Sequence, residues 1–208
     1  MKNIVVLVSG GGTNLQALID AQGRGELKNG KITCVISSNP NAYALERAKN
    51  NGIDTEVIRR KDFAEFNDYD TALTELLQSK NADVVVLAGF MTILGKKVIG
   101  VFENRIINIH PALIPSFCGE GYYGLKVHEE ALKKGVKVTG ATAHFVNEIC
   151  DGGPIIIQKA VEVKTGDTPE ILQKRVMEQA EWKILPKAVS LFCEDKIKVI
   201  GNKTEISE

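Results

Sequence analysis

Short, unbroken apolar runs recur along the first half of this chain, each separated from the next by a stretch of helical periodicity. Asn3–Val8 reads NIVVLV, Ile32–Ile36 reads ITCVI and Asp83–Ala88 reads DVVVLA. Consecutive apolar positions in a strand need cover on both faces, the situation of a parallel strand between two helical layers. Ile53–Ile58 and Arg105–Ile109 read as a third and a fifth strand. Between the runs, Leu15, Leu18 and Ile19 share one helical face, Ala44, Leu45 and Ala48 another, and Asp70–Leu77 lies on a longer amphipathic helix. Asn51-Gly52 is a helix stop signal. This alternation predicts an α/β fold: a Rossmann-like, mostly parallel twisted sheet with helices on both faces.

The pattern changes after about residue 136. Lys137–Val146 alternates like a strand, Asp151-Gly152-Gly153-Pro154 is a turn, and Ile155–Val163 is a second long strand. Two strands with no helix between them predict antiparallel strands added in the C-terminal half. Thr168-Pro169-Glu170 opens a helix with a hydroxyl N-cap, proline at the first position and an acid in the first turn. That helix is expected to run to about Phe192 with a kink at Pro186, and the tail from Lys196 to add a last strand. With no repeat, low-complexity stretch or linker, one domain over 1–208 is expected.

Composition removes several classes of function. Lys+Arg and Asp+Glu both number 26, so no basic field draws a nucleic-acid backbone. Cys34, Cys118, Cys150 and Cys193 form no C-x-x-C pair, which argues against a metal site or a redox dithiol and for reduced thiols in the cytoplasm. Met1 leads directly into a strand, so neither a signal peptide nor a membrane span is expected.

Two places can carry chemistry. Ser9-Gly10-Gly11-Gly12-Thr13-Asn14 joins the first strand to a helix and aims free N–H groups and a helix N-terminus at whatever lies above the strand, which suits a phosphate. The spacing is wrong for a dinucleotide fingerprint and no G-K-[ST] follows, so a phosphomonoester fits best, with a plain tight turn as the alternative. The second place is Asn108-Ile109-His110-Pro111. Side chains alternate along a strand, so Asn108 and His110 share a face at its end. An uncharged donor beside a titratable group suits a developing oxyanion; a polar strand end that caps itself reads equally well from the pair alone. Thr142 and His144 share a face in the same way, and four polar groups would converge if the two strands were neighbours. Asp151 lies in a turn that could bring a carboxylate to the same place, or be an ordinary turn aspartate. The remaining histidine is His128.

Val5–Leu18 (VVLVSGGGTNLQAL), Val85–Leu94 (VVLAGFMTIL), Ile107–Pro115 (INIHPALIP) and His144–Pro154 (HFVNEICDGGP) resemble the phosphoribosylglycinamide formyltransferases of purine biosynthesis, in the folate-dependent formyltransferase family. The resemblance runs in the same order over nearly the whole chain. It implies a phosphate-binding half over 1–100 and a catalytic and folate-binding half over 101–208. It implies Asn108, His110 and Asp151 as the catalytic trio, Gly12, Thr13 and Asn14 as the grip on the substrate phosphate, and Glu181 as a carboxylate on the ribose side. It implies Met91, Thr92, Ile93 and Leu94, with Asn108 and the Asn147–Asp151 loop, as the pocket for 10-formyltetrahydrofolate. That folate is the cosubstrate, glycinamide ribonucleotide the acceptor, no metal takes part, and the chain is a monomer or homodimer. Thr142 stands where relatives have serine or threonine.

Three departures from the pattern stand out: Thr92 and Phe66 occupy positions where members carry arginine, and Ser116–Gly124, with Cys118, is longer than in some. The same core occurs in 10-formyltetrahydrofolate hydrolases, which pass the formyl group to water, and in methionyl-tRNA formyltransferases, which carry an RNA-contacting domain. A non-catalytic nucleotide-binding module is the reading from another class; it would not require Asn108, His110 and Asp151 together. If the trio acts on a carbonyl, Asp151 is expected to raise the pKa of His110 by its opposite charge.

Overall fold

Alternate residues of the buried strands divide between two cores. Ile4, Val6 and Val8 pack to one side of a sheet, Val5 and Leu7 to the other, all of them fully buried. The computed structural model of the chain, which describes residues 1–207, places them on the central strand β1 (Lys2–Val8). The sheet has seven strands in the order β3-β2-β1-β4-β5-β6-β7. The others are β2 (Gly30–Ser37), β3 (Asp54–Val57), β4 (Val84–Leu87), β5 (Ile106–His110), β6 (Val138–Phe145) and β7 (Ile155–Glu162). Pairs from β3 through β5 are parallel, while β5–β6 and β6–β7 are antiparallel. The sheet is the one the sequence predicted.

One core is closed by α1 (Thr13–Gly23), α2 (Tyr43–Asn50), α6 (Pro169–Val176) and α7 (Trp182–Cys193), through Leu15, Leu18, Leu45, Leu172 and Val189. The other is closed by α3 (Phe66–Ser79) and α4 (Lys96–Val101), through Tyr69, Leu73, Leu77 and Val98. The strand order reverses between β1 and β4, where one connection leads to α1 on one face and the other to α4 on the opposite face. Such a switch point leaves a crevice beyond the carboxyl ends of the strands, the usual ligand site of open α/β sheets. Among the described residues, no helix is long and apolar enough to cross a membrane.

The structure differs from expectation in three places. Two helices that periodicity did not single out, α4 and α5 (Leu125–Lys134), complete the set. The first is only six residues long, too short for a pattern, but α5 ends on Lys133, Lys134 and a left-handed Gly135, a readable stop signal. The C-terminal helix departs from α geometry not at Pro186 but just before α7, where Met177–Glu181 forms a wider π turn. Proline has no N–H to donate to the Trp182 carbonyl one turn back, yet α7 continues through Pro186 to Cys193. The tail is a separate antiparallel hairpin of two strands, β8 (Ile197–Ile200) and β9 (Lys203–Ile206), turning at a left-handed Gly201. Gly-Asn is a two-residue hairpin turn signal.

α4 begins without a capping side chain of its own. Instead Asp70, 5% exposed on α3, accepts hydrogen bonds from the amides of Lys97 at 2.9 Å and Val98 at 3.3 Å. The carboxylate lies so close to Gly95 that a Cβ there would come within 2.2 Å of it. Asp70→Ala leaves two amides at the part-buried start of α4 unpaired. It is expected to cost about 1.5–3 kcal/mol of stability, the range for hydrogen bonds to a charged group, read from urea unfolding.

Candidate active site

The antiparallel register sets Asn108 opposite His144 and His110 opposite Thr142. Opposed residues share a face, so the pairs expected from each strand merge into one group of four. They point away from Ile107, Ile109, Ala141 and Ala143, which belong to the core under α1 and α7. His144 Nδ1 donates to the carbonyl of Phe145 at 2.8 Å, and its Nε2 lies 3.2 Å from the Asn108 amide nitrogen. His110 Nε2 donates to the carbonyl of Phe117 at 2.8 Å. That leaves Nδ1 facing Asp151 Oδ2 at 3.4 Å. Thr142 donates to the carbonyl of Ala112 at 2.7 Å and accepts from the Ile114 amide at 3.1 Å and from Gln158 at 3.0 Å. It clips the stretch after β5 to the sheet.

Asp151 reaches this group because of its turn. It adopts φ 54°, a left-handed conformation that aspartate tolerates. Gly153 packs so tightly against the end of β6 that a Cβ would lie 1.8 Å from the Phe145 carbonyl oxygen. The Phe145 amide in turn donates to the Pro154 carbonyl at 2.8 Å. The carboxylate then touches both imidazoles, with Oδ1 3.6 Å from His144 Nε2, and accepts from the Gly119 amide at 2.9 Å. Asp151, far along the chain from Asn108 and His110 on β5, therefore joins them in one group.

Burial and charge compete at this cluster. Burial alone would raise the Asp151 carboxyl, but the contact with His144, the His110 imidazole and the Gly119 amide outweigh it and hold it below the usual carboxylate range. His110 moves down, contrary to expectation: burial favours the neutral ring by more than Asp151 and the Phe117 carbonyl favour the charged one. His128, wholly buried on α5 with neither ring nitrogen hydrogen-bonded, is pushed by burial to about 4 and stays neutral.

The glycine loop caps α1. Gly12 sits at φ 72°, and a Cβ there would come within 2.6 Å of Ala44 Cβ, so only glycine lets α2 pack this close. The amides of Gly11, Gly12, Thr13 and Asn14 donate to no backbone carbonyl, which leaves them free for an anion at the helix start. Arg47 buttresses the loop from behind through the Gly11 carbonyl at 2.9 Å and Gln16 at 3.0 Å. The Asn14 side chain does not point at the loop's opening; it donates to Glu181 Oε2 at 2.7 Å. Glu181, on the π turn and 5% exposed, is pushed by burial up to about 7.

Met91–Leu94 has neither helical nor strand geometry, and Met91 and Ile93 are 57% and 77% exposed. Ile149, in the turn before Asp151, is 68% exposed. Lys96 and Glu148 link the two segments by an ion pair of 3.2 Å. Phe66 packs on Tyr69, and the Arg60 guanidinium lies 5.7 Å from the Phe66 ring, so a cation still stands near that position. Cys118 donates to the Pro115 carbonyl at 3.3 Å and is a free thiol. Among the described residues, no three His, Cys, Asp or Glu side chains are grouped to hold a metal ion. The Phe117 carbonyl, the Gly119 amide, Gln158 and Arg47 were not foreseen; two are backbone groups, which no residue type announces.

Residues 2–189 match the formyl transferase family. The chain belongs to that family. It is 42% identical to the phosphoribosylglycinamide formyltransferase of Haemophilus influenzae, over 97% of this chain and 92% of that protein. It is 43% identical to the trifunctional purine biosynthetic protein adenosine-3 of Bos taurus, over 96% of this chain and 19% of that one. In structure it matches glycinamide ribonucleotide transformylase 1 from Symbiobacterium toebii with a TM-score of 0.94 and 41% identity, covering 100% of this chain and 95% of the other.

Glu181 generates a test by pH. Its folded pKa of about 7 lies above the unfolded value of about 4.3, so the folded state holds a proton that the unfolded state has lost between those limits. The Glu181 contribution to stability is therefore expected to fall as pH rises from about 4.3 to 7, by on the order of 4 kcal/mol. His128, held at about 4 when folded and about 6.5 when unfolded, contributes in the opposite direction over much of that window. Glu181→Gln removes only the first contribution, so in urea melts across this range the variant's stability should rise with pH more steeply than that of the unaltered protein; the same slope in both would mean Glu181 ionises normally.

Proposed function

We propose that this protein transfers the formyl group of 10-formyltetrahydrofolate to the amine of N1-(5-phospho-D-ribosyl)glycinamide, giving the N-formyl product and tetrahydrofolate in purine biosynthesis. The observation that carries the reading is the meeting of Asn108, His110 and Asp151, with His110 Nδ1 3.4 Å from the carboxylate. The glycine loop supplies the second half, a site for the acceptor's phosphate on the free amides of Gly12, Thr13 and Asn14. Glu181 serves the ribose side, held in place by the Asn14 side chain. Met91, Thr92, Ile93 and Leu94 offer the folate backbone groups left unpaired beyond the Met91 amide, and Met91 and Ile93 add exposed apolar surface, against Ile149 on the opposite wall. The partners are these two small molecules, in the cytoplasm, with no nucleic acid.

An α-amine titrates near about 8, so part of the acceptor is already a free nucleophile at neutral pH. The demanding part of the reaction is charge on the carbonyl oxygen and movement of protons toward the leaving N10. Asn108 supplies a neutral donor for the oxyanion. His110, neutral with its Nε2 proton given to Phe117, presents a bare Nδ1 to an ionised Asp151. The proton shed by the amine as it bonds to the formyl carbon enters that gap and is held by both groups. The imidazolium so formed stabilises the oxyanion while Asp151 balances its charge, and the proton passes to N10 as the bond from N10 to the formyl carbon breaks. Burial keeps the ring neutral beforehand and makes it a ready acid once protonated.

Asp151→Asn and His110→Ala are each expected to lower kcat by about 10²–10⁴ with thermal unfolding little changed; near-normal turnover in either would remove the trio from the chemistry. The acceptor separates this reading from hydrolysis and from simple binding. Incubation with 10-formyltetrahydrofolate should release tetrahydrofolate only when glycinamide ribonucleotide is present. Equal release without it would mark a hydrolase, and no release a binding protein.

A further inference from the structure

The crevice at the switch point is crossed by a hydrogen bond that none of the roles above uses. β1 and β4 are adjacent and parallel, but their outgoing loops part toward opposite faces of the sheet. Ser9, the residue after β1, reaches across, and its Oγ accepts from the Met91 amide at 2.9 Å. Having accepted there, the hydroxyl keeps its own proton for another partner. Ser38 Oγ, just beyond the end of β2, lies 2.6 Å away. Ser9 is thus oriented from both sides, half-buried at the root of the glycine loop.

What it holds is otherwise untied at that end. Among the described residues, no backbone group of Met91–Leu94 takes part in a backbone–backbone hydrogen bond, and Met91 N–H to Ser9 is the one hydrogen bond its backbone makes. The chain is next fixed at Leu94, buried in the core closed by α3 and α4, and at Gly95, whose carbonyl accepts from the Ile99 amide at 3.1 Å. A segment that offers its own backbone to a ligand binds well only if it is held beforehand, because ordering it on binding subtracts from affinity. The Ser9 contact also fixes the segment relative to Gly10–Asn14, the next residues along the chain.

We propose that Ser9 is a positioning residue for the folate side of the site: its hydroxyl pins Met91 to the root of the phosphate loop and sets the two half-sites at a fixed separation. The inference rests on the function proposed above. Ser9 touches neither reacting group, so its removal acts on binding of one substrate and not on the chemical step.

The test compares Ser9→Ala and Ser38→Ala with the unaltered protein, by steady-state kinetics in both substrates and by calorimetric titration with tetrahydrofolate. Loss of one neutral hydrogen bond predicts a rise of about 3–10-fold in KM for 10-formyltetrahydrofolate and in Kd for tetrahydrofolate. The KM for glycinamide ribonucleotide and kcat should stay within about twofold, since neither the glycine-loop amides nor the catalytic group is touched. Ser38→Ala keeps the Met91 contact but releases its orientation, so it should raise the same two constants by less. An unchanged folate constant in Ser9→Ala overturns the proposal. So does an equal rise in both substrates' constants, the mark of a merely structural role. If the unaltered protein transfers no formyl group to the amine, the functional reading fails instead, and the kinetics of the unaltered protein show which has failed.

Discussion

The antiparallel pairing of β6 with β5 sets Asn108 opposite His144 and His110 opposite Thr142, and a slip of one residue would turn both β6 side chains into the opposite core. That register is enforced from the other face. Ile107 and Ile109 on β5 and Ala141, Ala143 and Phe145 on β6 are all buried in one cluster, so moving them to solvent would sacrifice a large apolar surface. The apolar side of the two strands therefore holds the polar side in place. Asp151 is tied to the same arrangement, because its turn is packed against the Phe145 backbone through Gly153.

Burial acts unequally on the assembled cluster. The Asp151 carboxyl is held low because imidazoles and an amide outweigh its burial, whereas desolvation shifts His110 toward its neutral form. Elsewhere in the fold Glu181 is also displaced from its ordinary range, upward, by burial beside Asn14.

Much of this was legible in the residues. The strands buried on both faces, the antiparallel pair, the glycine loop and the Asn108/His110 face all follow from local periodicity, which is a property of consecutive side chains. The wide turn at Met177–Glu181 was not foreseen, because a proline reports a missing donor without saying where a helix will widen. The tail's second strand was passed over because Lys203–Ile206 is short and only one of its four residues is apolar. The sign of the His110 shift was misjudged for a different reason: a neighbouring charge can be inferred from a motif, but the depth of burial that opposes it depends on elements brought from elsewhere.

By itself the sequence determined most of the strands and helices, α4, α5 and β9 excepted, and which residue types stand ready at their ends, since alternation, capping and turn chemistry act between near neighbours. Only the tertiary structure decided that β6 lies beside β5, that the Gly119 amide and Phe117 carbonyl reach Asp151 and His110, and that the Asn14 amide turns to Glu181. These contacts join residues far apart in the chain, and two of them use backbone atoms common to every residue. Their formation depends on the whole apolar interior closing at once, which no single stretch of the chain encodes.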